Sequence, residues 1–236
     1  MRGVFVTGTD TEVGKSVVAA CVCAALAARG KRVAAFKPVV TGIDEEAGEL
    51  GYDHELLASA ANAGQRPEDV APYRFGPPVS PHLAAELAGM VIEPAELVGA
   101  ARGQARAASG GARDSGDSGG EGVLVCEGVG GLLVPITPGY LVRDLAVDLG
   151  LPVVIAARPG LGTINHTLLT IEAARAGGLR VAGVVMTPWP DEPGRMERSN
   201  RGTIAQLGDV TVTGLPRTTP DRLAEAGASL PVEDWL

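Results

Sequence analysis

The sequence predicts a single α/β domain with a doubly wound, mostly parallel β-sheet and helices on both faces. Two observations carry this prediction. Short apolar runs alternate along the chain with longer helix-like segments, and the runs are apolar throughout, which is typical of parallel strands buried on both sides. The length of 236 residues and the 45% share of hydrophobic residues suit one such domain over residues 1–236.

Strands and helices are predicted from apolar runs and from end signals. The six predicted strands are residues 3–7, 32–37, 123–126, 152–156, 181–186 and 210–215. The first predicted helix begins near Gly14 and ends at Gly30. A second runs from Pro81 to Gly89, and a third follows Asn165. This order of elements is the one expected of a sheet covered on both faces.

Residues 107–122 differ in composition from the rest of the chain. The stretch is rich in Gly and Ser, carries one basic residue among three acidic ones, and has almost no large apolar side chain. Such a segment cannot bury enough surface to order itself. We therefore predict a flexible surface loop that connects a helix to the third strand within the same domain.

Charge and composition limit the classes of partner. The chain has 28 acidic and 20 basic residues, a formal charge of −8, and no Lys/Arg cluster, which argues against a nucleic-acid partner. Its three cysteines lie in apolar runs without metal-ligand spacing, so we expect buried thiols in a reducing compartment. No stretch is suited to span a bilayer and the chain opens directly into a strand, which predicts a cytoplasmic protein with no membrane partner.

The junction of the first strand and first helix reads GTDTEVGKS. Its residues are Gly8, Thr9, Asp10, Thr11, Glu12, Val13, Gly14, Lys15 and Ser16. A glycine-rich loop in this context directs backbone N–H groups to one point, and the Lys and the Ser hydroxyl add a cation and a Mg²⁺ ligand. We therefore predict a nucleotide phosphate site and a P-loop NTPase-like fold. The loop is one residue longer than the common GxxxxGK pattern, and its two acidic residues suggest a second substrate nearby.

Polar residues after the other strands are further candidates, because ligands of open parallel sheets bind outside the carboxyl ends of the strands. Lys37 could neutralise a transferring phosphoryl group, or be a solvated charge at a strand end. Glu127 could bind Mg²⁺, or be a turn or helix-capping residue. Asp53 could bind metal or cap the helix that follows it. Residues 162–165 open a helix whose N-terminus could bind an anion, or Asn165 could simply cap that helix.

Five segments occur in the order found in dethiobiotin synthetases, and through them the chain resembles that family. They are GTDTEVGKS at 8–16, KPVVTG at 37–42, SPH at 80–82, EGVGGLLVP at 127–135 and GTINH at 162–166, and they span about two thirds of the chain. The longer phosphate loop is the form that this family uses. The resemblance implies an ATP-dependent ligase of biotin synthesis that forms C–N bonds. Its substrates would be 7,8-diaminononanoate, CO₂ and a nucleoside triphosphate with Mg²⁺.

The resemblance also implies a mechanism. One amine captures CO₂ as a carbamate, the carbamate attacks the γ-phosphate to form a carbamic-phosphoric anhydride, and the second amine closes the cyclic urea of dethiobiotin with loss of phosphate. By this resemblance Lys15 and Lys37 are catalytic and the nucleotide lies along the loop from Gly8 to Ser16. The implied Mg²⁺ ligands are Ser16, Asp53 and Glu127. The implied diamine contacts are Thr11, Thr41, Gly162, Thr163, Ile164 and Asn165, of which the last four would receive the carboxylate across a homodimer interface.

Two segments differ from the family pattern. Many members have an Asn-Asp pair after the fifth strand, with the Asn contacting adenine, whereas this chain has Thr187 followed by Pro188 and Trp189. Thr187, Pro216 and Arg217 are therefore the predicted base contacts, for ATP or another nucleoside triphosphate. Some members place a Tyr of the partner subunit near the substrate, and Asn200 stands close to that position.

The alternative function is a P-loop switch ATPase of the partitioning or division-site-positioning kind. Such proteins usually carry a second Lys inside the phosphate loop and, where they bind membranes, a basic amphipathic C-terminal helix. Residues 8–14 contain no Lys, and the last sixteen residues, 221–236, contain one Arg against several acidic residues. The synthetase is therefore the favoured interpretation.

Overall fold

The computed structural model describes residues 1–110 and 122–236. The strands are β1 (Gly3–Gly8), β2 (Val33–Phe36), β3 (Val39–Thr41), β4 (Tyr73–Phe75), β5 (Val123–Gly131), β6 (Pro135–Thr137), β7 (Tyr140–Leu141), β8 (Val153–Ala157), β9 (Val181–Met186) and β10 (Val212–Gly214). The helices are α1 (Lys15–Ala28), α2 (Asp53–Ala60), α3 (Pro67–Val70), α4 (Pro81–Leu87), α5 (Pro94–Gly110), α6 (Val142–Leu149), α7 (Thr163–Ala176), α8 (Arg195–Gly208) and α9 (Leu223–Gly227). A 3₁₀ turn, Pro220–Arg222, precedes α9.

Six strands form one parallel sheet in the order β10-β9-β8-β1-β5-β2. All six predicted strands lie in this sheet, and the predicted doubly wound α/β class is confirmed. The chain first moves outward from β1 to β2 on one side and later builds β8, β9 and β10 on the other. The carboxyl end of β1 therefore lies at a point where the winding reverses, which is where open α/β sheets bind their ligands.

Each strand contributes to two apolar cores because successive side chains point to opposite faces of the sheet. Val4 and Val6 pack into one core with α1, α2, α3 and α9, while Phe5 packs into the other with helices α4 to α8. All three cysteines are buried and free, as predicted, and burial raises the pKa of Cys21 to about 12. Their role is packing, because a protonated buried thiol is inert.

The predicted loop at 107–122 is only partly correct. Residues 107–110 form the last turn of α5, and the remainder of the predicted loop up to residue 121 lies outside the described residues. The helix continues because Ala108 is buried in the core, and because Ser109 accepts a hydrogen bond from the Gly122 N–H at 3.2 Å. A compositional criterion misses this, because neither the burial of Ala108 nor the hydrogen bond from Gly122 is visible in the composition.

Two small sheets were not predicted. β3 pairs with β4 in parallel, and β6 pairs with β7 in an antiparallel hairpin. These strands have two or three residues each, too few to show a period in the sequence. In residues 1–110 and 122–236, no helix is both long and apolar enough to cross a bilayer.

Candidate active site

The phosphate loop joins β1 to α1 at the centre of the sheet. Gly8 ends β1, and Gly14 precedes Lys15, the first residue of α1, with a left-handed φ of 84°. A side chain at Gly14 would also lie 2.6 Å from Cγ2 of Thr187. Glycine is required there for its conformation and for the space that it leaves. Its absent side chain lets the segment after β9 close against the loop.

The loop presents unpaired hydrogen-bond donors. Across the described chain, no backbone N–H from Glu12 to Ser16 has an intramolecular acceptor. The Lys15 ammonium donates to the carbonyl oxygen of Asp10 at 2.8 Å and is only 7% exposed. Burial lowers the pKa of Lys15. N–H groups without acceptors form a binding site for an anion such as phosphate when they lie beside an ammonium that has no carboxylate in contact with it, as is the case for Lys15 in the described chain.

Four side chains from distant parts of the chain meet beside this loop. The Lys37 ammonium lies 2.7 Å from Oδ2 of Asp53 and 2.5 Å from Oε1 of Glu127. The Ser16 hydroxyl lies 2.7 Å from Oδ1 of Asp53 and 2.8 Å from Oε1 of Glu127. Lys37 enters directly after β2, Asp53 begins α2, and Glu127 lies within β5 next to β1. Sheet order therefore brings them together.

The electrostatics of the cluster differ from group to group. Burial alone would lower the pKa of Lys37, but attraction to Asp53 and Glu127 outweighs it and raises the pKa. Burial would raise the pKa of Asp53, but Lys37 and the Ser16 hydroxyl lower it to about 2. For the fully buried Glu127, desolvation dominates and raises the pKa despite the ammonium beside it. The cluster thus combines Lys37, which stays protonated, with Asp53, which stays ionised, and Glu127, whose ionisation is disfavoured.

Three alternatives left open by the sequence are wrong. Lys37 is only 3% exposed, so it is not a solvated strand-end charge. Glu127 is fully buried within β5, so it is neither a turn nor a capping residue. The N-cap of α2 is Tyr52, so Asp53 is the first helical residue and its side chain points to the cluster instead of capping the helix.

These side chains face one cavity of about 380 Å³. It is lined by nine residues predicted for the site, namely Thr11, Glu12, Gly14, Lys15, Ser16, Lys37, Thr41, Asp53 and Glu127. The sequence candidates from the phosphate loop, the end of β2, the end of β3, the start of α2 and β5 therefore surround a common space. Thr41, which the resemblance assigned to the diamine, is half-buried at the end of β3.

A second cavity, of about 300 Å³, adjoins the first along the loop. Its lining includes the predicted contacts Glu12, Val13, Gly14, Thr187, Pro216 and Arg217. Two backbone hydrogen bonds hold its walls together, from Trp189 N–H to the Leu215 carbonyl (2.7 Å) and from Leu215 N–H to the Met186 carbonyl (2.9 Å). The cavity has the position expected for the nucleoside end of a nucleotide whose phosphates lie on the loop.

Known proteins of similar sequence identify the family of this chain. A family model described as an AAA domain matches residues 2–218. The chain is 42% identical to an ATP-dependent dethiobiotin synthetase of Anaeromyxobacter dehalogenans, over 88% of this chain and 86% of the relative. It is 35% identical to that of Bacillus subtilis, over 91% of this chain and 87% of the relative.

The chain belongs to this AAA-domain family and to the dethiobiotin synthetases. Solved structures are similar at the level of the fold. The septum site-determining protein MinD of Pyrococcus horikoshii, solved with Mg-ADP, has a TM-score of 0.54 and 14% identity, covering 99% of this chain and 93% of that one. Identity this low supports the shared fold alone. The resemblance inferred from the five segments is therefore confirmed, and the chain is a dethiobiotin synthetase by family, not a MinD.

Mg²⁺, which P-loop enzymes of this kind use, fits the side chains present. The described residues contain no group of three or more His, Cys, Asp or Glu at metal-binding distance. Mg²⁺ needs fewer, because it keeps several waters and phosphate oxygens around one or two carboxylates. Ser16, Asp53 and Glu127 supply such oxygens, and Oε2 of Glu127 is buried without a partner in the described chain.

Some predicted residues of this dethiobiotin synthetase lie elsewhere. Gly162 is the N-cap of α7 with a φ of 91°, which makes Thr163 the first helical residue, so capping by Asn165 is wrong. In the described chain, residues 162–165 line neither of the two cavities. Thr9, Asp10 and Thr11 line a third cavity, of about 520 Å³, together with His166 near the start of α7. Residues 162–165 therefore do not line the lysine cavity of their own chain, although Thr11 borders both that cavity and the third one.

Two further residues, Asn200 and Arg158, make contacts that were not predicted from the sequence. Asn200, buried in α8, donates its amide N–H groups to the carbonyls of Pro159 (2.9 Å) and Gly160 (3.2 Å), so it serves its own chain's β8–α7 turn. Arg158 contacts the phosphate loop. Its position directly after β8, at the same sheet edge as Lys37, was an available signal.

Proposed function

We propose that the chain catalyses the Mg²⁺-dependent, ATP-driven carboxylation and ring closure of 7,8-diaminononanoate with CO₂, giving dethiobiotin, ADP and phosphate. Membership of the family supports this proposal, as do the names of its relatives, which describe ATP-dependent dethiobiotin synthetases. The observation that carries it is the cavity in which Lys15 and Lys37 face a serine hydroxyl and two carboxylates. A reaction that builds negative charge on a carbamate and a γ-phosphate needs two cations at that point.

The two lysines have different tasks. Lys15 is buried with a lowered pKa and a single carbonyl partner, so an arriving phosphate supplies the counter-charge that it lacks. Lys37 stays protonated because its pKa is raised. From its buried position in the lining of the cavity, Lys37 neutralises the negative charge on the carbamate oxygen as that oxygen attacks the γ-phosphate. No covalent enzyme intermediate is required, so catalysis consists of positioning and charge stabilisation.

Ser16, Asp53 and Glu127 are the proposed Mg²⁺ ligands. When bound, the ion neutralises phosphate oxygens and the leaving ADP. The residues themselves keep three oxygens converged beside Lys37 and exclude water from one side of the cluster, since Glu127 has no exposed surface. Thr11 and Thr41, which line the same cavity, are the proposed contacts to the diamine.

The nucleotide is proposed to run from the loop amides into the adjoining cavity, with Thr187, Pro216 and Arg217 beside its base. The carboxylate of the diamine is proposed to bind at the α7 N-terminus (Gly162, Thr163, Ile164 and Asn165) of a partner subunit. This assignment is supported by the lysine cavity of one chain, whose lining does not include residues 162–165 of that chain. The enzyme would then be a homodimer, and its buried free cysteines are compatible with the proposed cytoplasmic location.

The proposal predicts phosphate release that depends on the diamine. Purified protein is incubated with Mg²⁺, bicarbonate and ATP, with and without 7,8-diaminononanoate, and phosphate and dethiobiotin are measured together. We expect one phosphate for each dethiobiotin and little release without the diamine. CTP, GTP and UTP, assayed in parallel, give the nucleotide preference.

Two results would contradict the synthetase. Phosphate release at the same rate with and without the diamine, with no dethiobiotin formed, would favour the switch ATPase. No turnover with any of the four nucleotides, by protein that still binds ATP, would exclude both activities under these conditions. Omission of Mg²⁺ is the control for metal dependence.

A further inference from the structure

We propose that Arg158 is a positioning residue that holds the phosphate loop in its nucleotide-binding conformation. The inference rests on the proposed function only in that ATP is the ligand of the loop. Arg158 lies directly after β8, across from the loop. It lines the second cavity, of about 300 Å³, together with Glu12, Val13 and Gly14.

The Arg158 guanidinium makes a fork of hydrogen bonds to two loop carbonyls. Its Nε donates to the carbonyl of Glu12 at 3.3 Å, and its Nη2 donates to the same carbonyl at 3.1 Å and to that of Thr11 at 3.4 Å. The Glu12 carboxylate lies 3.9 Å away, and both side chains are largely exposed, so this ion pair contributes little. The interaction is therefore with the backbone of the loop.

Binding these carbonyls orients the loop amides. In a trans peptide the C=O and the following N–H point in opposite directions. When Arg158 draws the carbonyls of Thr11 and Glu12 towards itself, the N–H groups of Glu12 and Val13 point away from the guanidinium. Neither N–H has an acceptor in the described chain, so both are available to a phosphate oxygen.

The loop conformation needs such a restraint. Glu12 has a φ of 56°, a left-handed conformation that is unfavourable for a residue with a side chain. A residue in this conformation persists only when its surroundings hold it. The Glu12 carbonyl accepts two of the three Arg158 hydrogen bonds, and these bonds restrain the residue in this conformation.

Arg158 is itself held in place. The turn that follows it is fixed by Asn200, whose buried amide donates to the carbonyls of Pro159 and Gly160. The Thr187 N–H donates to the carbonyl of the preceding residue, Ala157, at 2.9 Å. The guanidinium thus extends from a rigid base to the loop, as a positioning residue must.

The test compares Arg158→Ala and Arg158→Lys with Arg175→Ala. Arg175 is a matched control because its guanidinium also donates to a backbone carbonyl, that of Asp209 at 3.1 Å, but at the far end of α7. We measure the Kd of Mg-ATP by calorimetry, the KM of ATP and of the diamine, and the melting temperature without nucleotide. Loss of the fork is expected to raise the Kd and KM of ATP about tenfold or more in Arg158→Ala.

Arg158→Lys is expected to recover only part of this loss, because an ammonium cannot bridge two carbonyls as a planar fork does. The KM of the diamine should change far less, and Arg175→Ala should match the wild type in every measurement. The melting temperature without nucleotide should stay close to that of the wild type, which separates positioning from a general loss of stability. If Arg158→Ala does not fold, Arg158→Lys, which retains the stem and the charge, carries the same comparison.

ATP affinity in Arg158→Ala within twofold of the wild type would overturn the inference. So would an equal rise in both KM values, or the same loss in Arg175→Ala. The outcome is separable from that of the proposed function. Wild-type protein that binds Mg-ATP but makes no dethiobiotin refutes the synthetase, whereas the Kd of Arg158→Ala still decides the role of Arg158.

Discussion

Lys37 and Glu127 form a buried ion pair in which each residue controls the charge of the other. Glu127 is fully buried, and desolvation raises its pKa, while the pKa of Lys37 is raised by its two carboxylate partners. The chain has only three lysines, and the two in the site are buried. Lys31, between α1 and β2, is the third and provides a control for substitution outside the site.

Replacement of Lys37 separates catalysis from stability. Lys37→Met is expected to lower kcat at least about 100-fold, because a charge-stabilising group at the reacting atoms is lost. It should also lower the melting temperature, since breaking a buried ion pair leaves a carboxylate unpaired, at a cost of about 3–5 kcal/mol. Adding Glu127→Gln should restore stability but not turnover. Both properties are measured by steady-state kinetics and thermal unfolding.

The stability deficit of Lys37→Met has a predicted pH dependence. Burial raises the pKa of Glu127 in the folded protein and Lys37 partly lowers it, so the loss of Lys37 raises this pKa further. The stability of the variant therefore increases more steeply than that of the wild type as the pH falls. The deficit should therefore shrink on going from about pH 8 to about pH 5. Lys31→Met should resemble the wild type throughout. Near-normal turnover of Lys37→Met would show that Lys37 only balances the two carboxylates.

At the scale of elements, the joint between β1 and α1 depends on two separate properties of Gly14. Gly14 and Gly30 have similar left-handed φ values, 84° and 77°. A side chain at Gly14 would meet Thr187, whereas in the described chain nothing lies within 4 Å of the same position at Gly30. A substitution at Gly30 therefore reports only the backbone cost of placing a side chain at a positive φ.

We expect Gly30→Ala to lower the free energy of unfolding by about 1 kcal/mol, the usual cost of a side chain in the left-handed region. Gly14→Ala should cost more and should also weaken Mg-ATP binding, because the segment after β9 must move away from the loop. Thr187→Ser removes the clashing Cγ2 methyl, so it should recover part of the loss in the Gly14→Ala background. Equal costs for the two alanine variants would contradict the contact.

At the scale of the whole molecule, residues 162–165 at the start of α7 do not line the cavity that holds the lysine cluster of the same chain. The cavity at Lys37 is lined by the loop and by α2, while Asn165 is exposed on the first turn of α7. If the proposed homodimer is correct, each reaction site combines the cluster of one subunit with α7 of the other. Two defective chains could then complement each other.

Mixing Lys37→Met with Asn165→Glu tests this arrangement. Asn165→Glu keeps α7 folded, because an acidic residue suits the first turn of a helix, but it repels the substrate carboxylate. After subunit exchange, half of the dimers are mixed and each contains one intact site, so activity should recover to about a quarter of the wild-type level. Asn165→Gln, which keeps the residue neutral, is the control. No recovery, in protein shown to exchange subunits, would place the whole site within one chain.

The sequence alone predicted the six strands of the main sheet, the phosphate loop and nearly every charged residue around the cavity. These features depend on local patterns. Apolar runs, glycines at helix ends and polar residues at strand ends are visible within short windows of sequence. The short strands β3, β4, β6 and β7 and the last turn of α5 were not visible, because their formation depends on neighbours that are distant in sequence.

The tertiary structure decided which candidates meet and in what state. Ser16 and Glu127 are 111 positions apart, and Lys37 and Glu127 are 90 apart, yet each pair is in contact because β5 lies between β1 and β2. The same strand order buries Lys37 and Glu127, which excludes their solvent-exposed alternatives. It also brings Arg158 to the phosphate loop from the other side of β1. The sequence thus determined which groups could carry the chemistry, and the order of the strands decided their contacts, because pairing across a sheet joins residues that no local pattern relates.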